Sequence, residues 1–215
     1  MPKVRALVVI CLVAALAGCS QASGTHGKVL VIVRDGSENL EGTILKELDP
    51  MLGMLKCAGI SVALATSSGE RVAIDKASFT PDLKLEAVRI GDYDGLLIPC
   101  MASVLRTEEV VLIVRDASAA GIPIAAGDGA VFNLAAAGVL KGKRYALDPG
   151  FADSVKEGVN AGAGVVQDGV LITAGTCATD PPDPTRKDGT RELTSKLIRA
   201  VRERVEKQAK GGEGA

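Results

Sequence analysis

PIAAGDGAVFNLAAAGVLKGK, residues 123–143, changes its periodicity once, and that change decides the fold. Residues 122–126 form a short apolar run of the kind found in strands buried on both faces, whereas residues 130–140 repeat their apolar positions at helical spacing. Gly127-Asp128-Gly129 lies between them. A strand passing directly into a helix through such small residues makes a sharp corner, and Asp128 is the one side chain placed at its apex.

The same alternation extends in both directions. Residues 28–33, Lys-Val-Leu-Val-Ile-Val, are rich in β-branched residues and stop on polar ground at Arg34-Asp35-Gly36-Ser37, which predicts a buried parallel strand. Residues 40–58 place Leu45, Leu48, Leu52 and Leu55 on one helical side, with Pro50 requiring a kink or restart. Met51, Met54 and Cys57 are read as packing residues of that helix. Gly59 stops it, and residues 61–66 are the next strand. Residues 67–91 are more polar and are assigned a strand or hairpin followed by a short segment near 83–88. Residues 95–99 and 169–173 are further strands. Thr107 caps a helix running to residue 120, with Glu108 and Glu109 in its first turn, and residues 191–206 make an amphipathic helix. Strands and helices alternating with short links predict an α/β fold, a doubly wound sandwich around a mostly parallel sheet. Two segments break the rhythm, residues 148–165 and the proline-rich residues 178–187, and loops of that kind at strand ends are where such folds keep their sites.

The N-terminus reads as an address. Lys3 and Arg5 precede an apolar run, residues 6–17, too short to span a bilayer and the right length for an export signal. It closes on Leu16-Ala17-Gly18-Cys19, the pattern of a bacterial lipobox, which predicts a signal peptide over 1–18 and a lipid on Cys19. Ser20 in the following position points to the periplasmic face of an outer membrane in a Gram-negative host. Residues 19–27 are then a tether, whose eight residues after the cysteine reach at most about 25–30 Å. The roughly 190 residues beyond suit a single domain, assigned to 28–206 with a flexible tail over 207–215.

Composition excludes several functions. Twenty-five Lys and Arg against 26 Asp and Glu leave a net charge of −1, which offers neither a nucleic-acid footprint nor a polybasic lipid-binding face. Once Cys11 leaves with the signal and Cys19 carries lipid, Cys57, Cys100 and Cys177 remain, an odd number for an oxidising compartment. The single histidine, His26, lies in the tether. Mechanisms that need an imidazole inside the domain are excluded unless the tether folds back.

Three pieces in order carry a resemblance: Gly36-Ser37-Glu38-Asn39-Leu40-Glu41 after the first strand, Tyr93-Asp94-Gly95-Leu96-Leu97-Ile98-Pro99 ending a middle one, and the corner followed by Ala137-Gly138-Val139-Leu140-Lys141-Gly142-Lys143. Together they resemble the DJ-1/PfpI family of the class I glutamine amidotransferase-like superfamily, from residue 28 to about residue 202. The resemblance implies a flavodoxin-like sandwich, frequently dimeric, in a family of deglycases or glyoxalases, peptidases, chaperones and non-enzymatic relatives. It implies that Asp128 stands where the family has its nucleophilic cysteine, at an elbow for which Ala126, Gly127, Gly129 and Ala130 supply the small neighbours. Glu41 matches the glutamate that pairs with that cysteine. Asp148-Pro149 stands in place of a downstream His-Pro pair, and Pro99-Cys100-Met101 in place of the Pro-Gly-Gly stretch that forms the oxyanion site.

With Glu41 aimed at Asp128, as the family fold implies, two carboxylates crowd one spot and one should titrate high. The pair would share a proton or hold a cation, with Asp148 as a further oxygen ligand. Nothing resembles a calcium-loop signature, however, so no metal and no cofactor are expected. Cys100 is on the rim, and the loop after Thr173 brings Cys177 toward it. A relocated nucleophile, a disulfide and two idle thiols all remain open. Glu41, Cys100 and Asp128 are the candidate catalytic residues, and Met101, Gly127, Gly129, Asp148 and Cys177 the candidate ligand-binding ones. The leading reading is a domain tethered through Cys19 that lacks the usual cysteine and binds a small polar ligand or a protein, with a homodimer a further candidate. Its rivals are a hydrolase, glyoxalase-like or redox enzyme using Cys100, and an envelope chaperone.

Overall fold

A computed structural model describes residues 26–35, 40–74, 77–100, 107–180 and 187–212. Calls on Cys11, Cys19, Met101 and the signal segment lie outside these residues.

The predicted buried strands form one sheet. β1 (Lys28–Ile32), β2 (Ser61–Thr66), β5 (Leu83–Lys84), β6 (Gly95–Ile98), β7 (Ile124–Gly127) and β11 (Leu171–Ala174) run parallel in a seven-stranded sheet of order β10-β11-β7-β6-β1-β2-β5. β10 (Val165–Asp168) pairs antiparallel with β11 and closes one edge. Only its first residue, Val165, falls in the stretch that broke the sequence rhythm. Two small two-stranded sheets lie apart, β3 (Val72–Ile74) with β4 (Ala77–Phe79), the hairpin expected in that region, and β8 (Arg144–Tyr145) with β9 (Val159–Asn160).

Alternation along each strand sends side chains to two cores. Leu30, Ile32, Leu96, Ile98, Ile124 and Ala126 meet α3 (Glu108–Ala119) and α4 (Val131–Ala136) on one face. Val29, Val31, Leu97, Ala125 and Ile172 meet the first helical segment and α5 (Thr190–Gly212) on the other. The result is the expected doubly wound, flavodoxin-like sandwich.

The first helix departs from its expected form. It opens as α1 (Leu40–Thr43), widens into a π-turn (Ile44–Leu48) and restarts as α2 (Asp49–Cys57) with Pro50 in its first turn. Proline supplies no N–H and crowds the carbonyl four residues back, so the preceding turn opens by one residue. Leu40, Ile44, Leu48, Met51 and Leu55 are buried, while Leu45, placed on the inner side by plain helical spacing, is exposed.

Three other expectations are corrected. Cys57 is exposed and disulfide-bonded, its partner lying outside the described residues, so it is not core packing. α5 continues to Gly212, so the expected tail is helical through that residue. The tether ends earlier than expected, because the backbone N–H of His26 already donates to Gly59 O at 3.0 Å. His26 therefore packs at the start of β1, at the opposite end of the parallel strands from the corner at Asp128.

Candidate functional site at the strand-to-helix elbow

β7 ends at Gly127, and a 3₁₀ turn (Asp128–Ala130) leads straight into α4. Asp128 adopts φ +36°, the only positive φ of a non-glycine residue among those described. Such a conformation costs on the order of 1–3 kcal/mol, and aspartate tolerates it better than most residues. Gly127 has to be small. A Cβ there would stand 3.2 Å from both Cys100 N and Glu47 Oε1, tighter than ordinary van der Waals contact.

Asp128 is 8% exposed. Its Oδ2 accepts from the Cys100 thiol at 3.7 Å, while Oδ1 is buried without a hydrogen-bond partner among the described residues. Cys100 reaches this point because β6 ends beside β7 and buried Pro99 carries the chain across the elbow. Cys177 arrives from the loop after β11. The Sγ atoms of Cys100 and Cys177 and a carboxylate oxygen of Asp128 all lie within 4.8 Å of one another, and both cysteines are free thiols.

The loop holding Cys177 is pinned from several sides. Its N–H donates to Asp180 Oδ2 at 2.7 Å, and its Sγ lies 3.6 Å from Asp180 Oδ1 and 3.1 Å from Thr179 Oγ1. Thr176 Oγ1 donates to Lys187 O at 2.6 Å, and Thr190 Oγ1 accepts from Ala178 N at 3.3 Å. Gly175 is required before it, since a Cβ would come within 2.6 Å of Gly162 O.

The helix carboxylate at the elbow is Glu47 rather than Glu41. Glu47 is fully buried and accepts the Cys100 N–H at 2.9 Å. Glu41 lies half-buried in the first turn of α1. The carboxylates that raise Asp128 are Asp180 and Asp148. Asp148 spends one oxygen on a local turn, accepting Gly150 N at 2.7 Å. Gly129 contributes its N–H to Asp128.

Electrostatics follow from this crowding. Burial and the charge of Asp180 raise the Asp128 carboxyl to about 6, with Asp148 adding to the rise and hydrogen bonds from Gly129 and Cys100 opposing it. Cys100 is pushed far above the usual thiol range, first by its hydrogen bond with the Cys177 thiol and by burial, then by Glu47 and Asp128. At neutral pH Cys100 carries its proton, and a protonated thiol is a poor nucleophile.

Sequence reasoning missed Glu47 and Asp180. A signal for Glu47 exists, since it is a carboxylate three residues after Ile44 and four before Met51, on the buried stripe.

Across residues 27–183 the chain matches the model of the DJ-1/PfpI family. The chain belongs to this family. An uncharacterized protein of Archaeoglobus fulgidus is 35% identical over 156 residues, spanning 68% of this chain and 88% of that one. Drosophila melanogaster DJ-1beta superposes with a TM-score of 0.60 at 28% identity, covering 87% of this chain and 98% of that structure. The putative protease I from Bacteroides thetaiotaomicron superposes at 0.64 with 16% identity, covering 81% and 98%, a likeness of fold. In this DJ-1/PfpI domain the side chain at the apex of the elbow is a carboxylate, and two thiols reach it from neighbouring loops.

Proposed function

We propose that this chain is a DJ-1/PfpI domain that binds a small polar ligand at its elbow and does not turn substrates over through a cysteine. The observation that carries the reading is the pairing of a buried carboxylate at the apex, one oxygen without a partner among the described residues, with a thiol held protonated beside it. A nucleophilic cysteine needs neighbouring positive charge or a helix N-terminus to favour the thiolate. Cys100 has Glu47, Asp128 and a second thiol instead. An aspartyl ester on Asp128 is equally disfavoured, since its release calls for an activated water and the only histidine, His26, packs at the other end of the strands.

We place the domain at a membrane surface through a lipid on Cys19, a reading supported by the basic residues, apolar run and Leu16-Ala17-Gly18-Cys19 sequence. Intact-mass measurement of the mature chain tests it, the expected product beginning at a diacylated Cys19.

The binding reading is tested by alkylation of the reduced, chelator-treated chain from about pH 5 to about pH 9, followed by peptide mass spectrometry. Cys100 should react far more slowly than a model thiol, whose pKa is about 8.5. Rapid modification of Cys100 at neutral pH, or glyoxalase or deglycase turnover abolished by Asp128→Asn, overturns the reading in favour of an enzyme.

A further inference from the structure

The three groups at the elbow have a geometry of their own. In tetrahedral zinc sites Zn–S is about 2.3 Å and Zn–O about 2.1 Å, so ligand atoms sharing one ion stand about 3.8 Å apart for two sulfurs and about 3.6 Å for a sulfur and an oxygen. The Cys100 Sγ to Asp128 Oδ2 separation is 3.7 Å, and the three ligand atoms of Cys100, Asp128 and Cys177 lie within 4.8 Å of one another. These separations bracket a single ion with little movement of any side chain.

The three ligands come from separate, well-fixed places: the end of β6, the elbow after β7 and the loop after β11. Two backbone groups are already tied by outer carboxylates, Cys100 N–H by Glu47 and Cys177 N–H by Asp180. Outer contacts of that sort orient the ligands of metal sites. A separate observation also points to a ligand. Asp128 is more than nine-tenths buried, yet its Oδ1 has no hydrogen-bond partner among the described residues, and no described lysine or arginine forms an ion pair with Asp128 or Asp180.

We infer that Cys100, Cys177 and Asp128 bind one borderline-soft divalent cation of the zinc type, leaving a fourth coordination position for water or a small anion. The donor set decides the class of ion. Two sulfurs exclude Ca²⁺ and Mg²⁺, which take oxygen ligands, and the carboxylate suits Zn²⁺ better than Cu⁺. Each thiol gives its proton to solvent as the metal–sulfur bond forms, so binding one ion releases two protons from the cysteines and weakens in acid. The open position resembles the three-ligand arrangement of zinc sites that also hold water or a small anion. The sequence reading expected no metal, and this sulfur-containing set departs from that expectation. The inference rests on the reading of the elbow as a binding pocket and names its ligand.

The test is titration of the reduced full-length chain in detergent with Co²⁺, whose thiolate charge-transfer absorption reports sulfur ligation, followed by displacement with Zn²⁺. One Co²⁺ per chain with that absorption, bleached by one equivalent of Zn²⁺, is expected. Cys100→Ser and Cys177→Ser should abolish the absorption, Asp128→Asn should weaken binding by about 10- to 100-fold, and Cys57→Ser should leave it unchanged. Bound Zn²⁺ should also protect Cys100 and Cys177 together from alkylation. Absence of the absorption in the unsubstituted chain, or its persistence in both serine variants, overturns the inference. If Cys100 is inert to alkylation and the absorption is absent, the metal is refuted while the pocket reading stands. If Cys100 alkylates rapidly in the metal-free chain, the pocket reading itself has failed.

Discussion

Glu47 Oε1 accepts the backbone N–H of Cys100 at 2.9 Å, which ties the π-turn of the first helix to the loop that carries the thiol. The contact links residues 53 positions apart in the sequence.

Removing this acceptor should be costly. Glu47→Ala leaves a buried N–H unsatisfied, with an expected loss of about 1–3 kcal/mol, whereas Glu47→Gln keeps an oxygen in place and should lose less. Urea denaturation of the two variants checks the ordering. Equal losses would mean that Glu47 acts through packing alone.

The Asp128 carboxyl should impose a pH dependence on stability in the presence of a chelator. Its folded value of about 6 lies above the value of about 3.9 for an unfolded chain. Between those values the folded state holds more protons, so this group's contribution to stability falls as pH rises through 4 to about 6, and the penalty is fully present above it. Asp128→Asn cannot ionise. It should therefore stabilise the chain relative to the parent at neutral pH, with the difference vanishing near pH 4. Thermal melts of parent and variant at several pH values measure this, and a difference independent of pH would contradict it.

Gly175→Ala should damage the site from a distance. The new Cβ meets the carbonyl oxygen of Gly162 at 2.6 Å, a backbone contact that cannot rotate away. The expected cost is about 1–3 kcal/mol, accompanied by faster alkylation of Cys177 as its loop shifts. Unchanged melting and unchanged labelling would show that the loop adapts freely.

Cys57 offers a count of thiols. It is disulfide-bonded in the full 215-residue chain, while Cys100 and Cys177 are free. Processing at Cys19 would remove Cys11 and commit the Cys19 sulfur to a thioether. A mature lipidated chain should then show three alkylatable thiols after denaturation without reductant. A count of two linked to a persistent Cys57 disulfide would argue against lipidation.

Much of the fold was legible because buried parallel strands write themselves as β-branched runs, as in residues 28–33, and because a corner built from Gly127, Gly129 and alanines has few other readings. The helical stripe of residues 40–58 was legible only in outline. Pro50 announced a disruption, but not that a π-turn would precede it, nor that Leu45 would be exposed and Glu47 buried. β10 was missed because an edge strand facing solvent on one side lacks a continuous apolar run. Asp180 was missed for another reason. Its role depends on where a loop lands after β11, a long-range outcome with no local pattern. Cys100 and Cys177 were placed near one rim by counting from strand ends, and their separation from each other came only with coordinates.

The direction shared by the central strands sets an orientation. The chain enters β1 at Lys28, beside His26 and the end of α2, while Asp128 follows the far end of β7, a strand parallel to β1 through β6. A protein moored at Cys19 would thus rest on its lipid with the strand beginnings downward. Asp128 and both thiols would look out into the aqueous compartment, about one strand length, some 15 Å, higher.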